Sequence, residues 1–90
     1  MLDISNYYEQ LVSDRLGQLL HNSERPPTQA FLEDVACIAL NHLPPRYIRH
    51  RVDMGSHLTE RDYEEMDRQV DEAVMVAIAQ ASNRPHDSRD

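Results

Sequence analysis

No lysine occurs among these 90 residues; all nine basic side chains are arginine. Genome composition can produce such a bias. So can selection for the planar guanidinium fork, which reads phosphates and guanine edges better than an ammonium does. Cysteine is nearly absent too. Cys37 alone excludes an intrachain disulfide, and its place in an apolar run, with no ligand-like spacing, predicts a small core side chain. Two glycines, no Asn-Gly or Asp-Gly turn and few β-branched runs argue against a β fold. The N-terminus carries Asp3 and Glu9 instead of a basic leader, and no long apolar stretch follows. A secretory signal and a membrane-inserted span are therefore not expected, and with one cysteine the expected location is a reducing cytoplasm. Neither a glycine-rich phosphate loop nor a serine elbow is present, and carboxylates cluster only on one exposed helix face, so no enzyme is expected.

What the chain does contain is helical patterning. Tyr8, Leu11, Val12, Leu16, Leu19 and Leu20 make one apolar stripe over about Ser5 to His21, with Ser5 as the expected cap. A second helix is expected from near Thr28, after Pro26-Pro27, to near Leu43, before Pro44-Pro45. Arg46 to Val52 reads as a short strand or an irregular loop, punctuated by Met54-Gly55-Ser56. A third helix follows Thr59, with Asp62 at the capping-box position and an inner stripe of Tyr63, Met66, Val70, Ala73, Val74, Ala77, Ile78 and Ala81. The expected fold is all-α: one small domain over residues 1–82 with three main helices and an extended or irregular segment after the second, then a disordered polar tail over 83–90. Residues 35–40 and 73–79 are apolar without interruption. Helices of that kind need cover on more than one side, and a domain this small buries only roughly 60–65% of its unfolded surface. A homodimer built from the second and third helices is the expected support.

Residues 40–51, Leu-Asn-His-Leu-Pro-Pro-Arg-Tyr-Ile-Arg-His-Arg, carry the most specific signal. An apolar helix stops at two prolines, and Arg46, Arg49 and Arg51 follow with His50, in a chain whose net charge is -7. Either the protein's own carboxylates pair with this island, or it holds an anionic ligand. In the plainer account Asn41 satisfies backbone groups near the helix end, Pro44-Pro45 forbids continuation and the Tyr47 ring packs on the core.

The segments Asp34-Val35 and Ala39-Leu40-Asn41-His42-Leu43-Pro44-Pro45-Arg46-Tyr47, with the late helix Val70…Ala73-Val74…Ala77-Ile78…Ala81, resemble the late-competence ComFB family over roughly residues 5–82. That resemblance implies a small cytoplasmic bacterial signalling protein, helical, dimeric and without known catalysis. It further implies a ligand, because some members are cyclic di-GMP receptors linked to competence, surface motility and pilus or biofilm behaviour. Other members hold zinc through cysteines ahead of the second helix; residues 22–33 contain none here, so no such metal is expected.

Cyclic di-GMP offers two phosphates and two guanines. A receptor needs arginines for phosphate or the guanine N7/O6 edge, a planar group to stack, and a carboxylate for the guanine N1/N2 donors. Arg46, Arg49, Arg51 and Tyr47 meet the first two needs, and Asp34 or Glu33 the third, with Asn41 in the same motif. Arg61, near the start of the third helix, is a secondary candidate; surface ion pairing is the plainer role for it and for Arg68. The five histidines show no metal-like spacing, so neither metal nor cofactor is expected. A long polyanion is repelled by the net charge, which disfavours nucleic acid. The reading is a dimeric cyclic di-GMP receptor that passes its signal to an unidentified protein partner. The alternative is a ligand-independent interaction module of the competence or pilus machinery.

Overall fold

The computed structural model describes residues 2–49 and 58–83. Its elements run β1 (Ser5–Asn6), α1 (Tyr7–His21), α2 (Gln29–His42), β2 (Tyr47–Ile48) and α3 (Glu60–Ser82). Local chemistry sets the helix ends. Thr28 Oγ1 accepts from the Phe31 N–H at 3.1 Å and starts α2 directly after Pro26-Pro27. Its last turn closes where Leu43, in extended conformation, donates to the Leu40 carbonyl, and the two prolines prevent any further turn. At α3 the capping box is complete: Asp62 N–H donates to Thr59 Oγ1 at 3.1 Å, and Thr59 N–H donates to Asp62 Oδ2 at 2.9 Å.

Helix α1 departs from expectation by one residue. Asn6, not Ser5, is its cap, accepting from the Tyr8 N–H at 3.2 Å. The reason lies far along the chain. Ser5 and Asn6 are extended because they pair antiparallel with Ile48 and Tyr47, so the helix cannot begin before Tyr7. The segment after Pro44-Pro45 is thus a two-residue strand. The punctuation at residues 54–56 and the tail beyond Asn83 lie outside the described residues.

The core is built where α2 packs on α3, with α1 laid across both. Met66, Val70, Ala73, Val74, Ala77 and Ala81 of the expected inner stripe are buried, and Tyr63 and Ile78 pack against them. Ala73, Ala77 and Ala81 recur every four residues and form one low ridge, facing Val35 and Ala39 in the same core. Such small side chains let two helices approach closely. Cys37 corrects the sequence reading. Its neighbours Val35 and Ala39 take the core face, which turns Cys37 outward, where it is exposed.

Candidate functional site

The basic segment is held by its backbone. Asn6 Oδ1 accepts from the Arg46 N–H at 2.8 Å while it caps α1, and the Tyr7 N–H donates to the Arg46 carbonyl at 2.6 Å. One asparagine side chain therefore ties the start of α1 to the residue that follows Pro44-Pro45. With the two strands, this makes a clasp that fixes the position from which Arg46 and Tyr47 project.

Beyond the clasp opens a cleft of about 340 Å³, between Pro44-Pro45-Arg46 and the first turns of α3. Its floor is Tyr8, which is buried and donates through its hydroxyl to Gln69 Oε1 at 2.6 Å. Burial pushes the Tyr8 phenol above its ordinary value; the Arg46 charge opposes this and the Glu65 charge adds to it. On the far wall, the Thr59 backbone N–H holds the Asp62 carboxyl below the usual range, and Arg46 lowers it further. No carboxylate among the described residues forms an ion pair with Arg46. Glu65 is committed instead to Arg68, whose hydrogen bond is the main cause of its lowered pKa, and Arg68 also reaches Glu72 at 2.9 Å. Among the described residues, then, acids face Arg46 but none pairs with it by contact.

The structure divides the expected site residues. Arg46 overlooks the cleft near Tyr8 and Asp62. Tyr47 is 65% exposed, so the account that packs its ring on the core fails; the strand alternation turns Ile48 inward in its place. Arg49 follows on the surface, and Arg51 lies outside the described residues. Asn41 is exposed on the last turn of α2. Arg61 is exposed in the first turn of α3, beside Asp62. Asp34 is not brought to the cleft. It precedes the end of α2 by eight residues, about 12 Å of helix rise. Glu33 lines a different groove, between α1 and α2. The carboxylate that does face Arg46 is Asp62, whose capping role had accounted for it fully in sequence. Asn6 and Tyr8 were also missed, since only the long-range strand pair brings them to Arg46.

Among the described residues no three His, Cys, Asp or Glu side chains converge on a metal site, and no helix is long and apolar enough to cross a membrane. Three helices closed by a two-strand clasp, with the backbone of Arg46 held beside a mixed-charge cleft, define a small helical domain. The family model described as "Late competence development protein ComFB" matches residues 5–85, and the chain belongs to that family. Among curated proteins none matches the sequence. ComFB is not a known enzyme family, and membership places the chain among late-competence proteins.

Proposed function

We propose that this ComFB-family chain is a non-enzymatic cytoplasmic receptor that binds cyclic di-GMP as a homodimer and relays the signal to a protein partner. The observation that carries the reading is the pinned backbone at Arg46, next to an exposed Tyr47 ring and followed by Arg49. A guanidinium whose backbone is already fixed loses less freedom on binding a phosphate or a guanine edge. An exposed ring between two arginines suits base stacking. Asp62, facing Arg46, takes over from Asp34 as the carboxylate for the guanine N1/N2 donors. A two-fold ligand also matches a two-fold dimer, each protomer serving one half.

Calorimetric titration with cyclic di-GMP tests this. Arg46→Ala, Arg49→Ala and Arg51→Ala are each expected to weaken binding by about tenfold or more, the scale of one lost charge-assisted hydrogen bond. Unchanged affinity in all three would exclude the segment. The ligand-independent interaction module is favoured by one observation, the exposed apolar side chains Met75 and Val76 on α3. Thermal shift separates the two. A receptor is stabilised by cyclic di-GMP and not by GMP or cyclic AMP, because a ligand bound only by the folded state raises apparent stability.

A further inference from the structure

A second groove runs between α1 and α2. Val12, Leu16 and Leu20 line it from α1, and Leu32, Ala36 and Leu40 from α2. Only Val12 of these is fully covered; the rest are half-buried or exposed, so the groove presents a row of apolar side chains to solvent. From Glu9 to Leu20 it follows α1 for about 16 Å, three turns of helix. Its volume is about 270 Å³, room for side chains from one face of a helix and not for a whole domain.

Two further features say what would fill it. Glu9 and Glu33 stand along the groove, and among the described residues no cationic side chain lines it. Gly17 sits in its wall in mid-helix, where glycine disfavours the helix relative to alanine. A Cβ there would meet nothing within 4 Å, so no contact inside the chain requires glycine. The missing side chain leaves open space in the groove wall.

We propose that the α1–α2 groove docks an amphipathic helical segment of another protein, its apolar stripe flanked by lysine or arginine. Apolar anchors spaced at i, i+3 or i+4, and i+7 would enter the row of leucines, with basic flanks meeting Glu9 and Glu33. A second copy of this chain fits worse. An isologous contact sets the same patch against itself, and would bring the glutamates of two protomers together with no cation between them. The proposal stands whether or not the basic segment binds cyclic di-GMP.

The full chain would be titrated, by fluorescence anisotropy, with a labelled amphipathic peptide carrying leucine every third or fourth residue and lysine on the flanks. A matched peptide with glutamate flanks would be run alongside. The lysine peptide is expected to bind, and the glutamate peptide about tenfold or more weaker. Gly17→Phe places a ring in the opening from a Cβ position that meets no atom within 4 Å. It should keep the melting temperature while lowering affinity about tenfold or more, the scale of excluding one apolar anchor. Glu9→Gln with Glu33→Gln should weaken binding and flatten its salt dependence. The proposal is overturned if neither peptide binds, if both bind alike, or if Gly17→Phe leaves affinity unchanged. It is overturned equally if Gly17→Phe dissociates a dimer in sedimentation, since the groove would then hold a second copy. A parallel titration with cyclic di-GMP reads the basic segment separately, so the two failures are distinguishable.

Discussion

Asn6 concentrates more consequence than any other single side chain. Its one oxygen accepts from Tyr8 N–H, which starts α1, and from Arg46 N–H, which sets the basic segment. Asn6→Ala removes both. The lost cap costs about 1 kcal/mol and the second hydrogen bond about 1 kcal/mol. In a domain this small the melting temperature should fall by about ten degrees, to be read by circular dichroism. Asn6→Asp keeps the acceptor oxygen and is expected to restore most of that loss. If Asn6 serves only as a cap, Asn6→Ser should rescue stability and nucleotide affinity alike. If it also positions Arg46, the shorter serine should recover the cap while cyclic di-GMP binding stays weakened, because its hydroxyl cannot span to both donors. Calorimetry on the three variants distinguishes these outcomes.

Among the elements, α3 reports its own electrostatics. The Asp62 carboxylate accepts from the Thr59 backbone N–H, and its pKa lies below the ordinary aspartate value. A group depressed in the folded state stabilises it above the unfolded pKa, about 3.9, and that contribution disappears as pH falls through the lower folded value. Asp62→Asn keeps an acceptor oxygen but removes the charge. Its melting temperature should therefore lie below the wild type at pH 7, with the gap closing as pH falls below about 4. A gap that persists at the acid end would assign the effect to geometry instead of charge. The helices were readable from sequence because their signals are local: Thr28 after two prolines, Thr59 three residues before Asp62, and alanines and valines at helical spacing. The clasp was not, because Ser5–Asn6 and Tyr47–Ile48 are about forty residues apart and too short to show strand periodicity. The site inherited that gap. Arg46 and Tyr47 stood out in sequence as a basic island, whereas Asn6, Tyr8 and Asp62 reach Arg46 only through folding. Cys37 erred for a related reason. Within an unbroken apolar run, periodicity cannot say which residue turns outward.

At the scale of the whole molecule, the unresolved physical problem is apolar surface on α3. Met75 is 61% exposed and Val76 42% exposed, although the helix buries Val74 and Ala77 on either side of them. Val76 also borders the shallow cleft formed by His42, Leu43 and Pro44 against α3, with Arg68 and Glu72 at its edge. That edge differs from the α1–α2 groove in carrying both signs of charge. A two-fold axis there could set Arg68 of one protomer near Glu72 of the other while the apolar side chains meet at the centre, a self-complementary arrangement. Burying an exposed side chain of this size contributes roughly 1.5–3 kcal/mol. Met75 and Val76 from two protomers are then comparable with the whole stability margin of a small domain, about 5 kcal/mol at the low end. The expected particle is therefore a dimer at micromolar concentration, measured by light scattering. Val76→Glu should yield a folded monomer, because the side chain is 42% exposed and lies outside the core cluster of the protomer. Its melting temperature should also lose the concentration dependence expected of an associating wild type. A wild type that is monodisperse and monomeric would remove the dimer, and with it the two-fold matching of nucleotide to protein, while leaving the pinned Arg46 segment to be tested as a one-sided site.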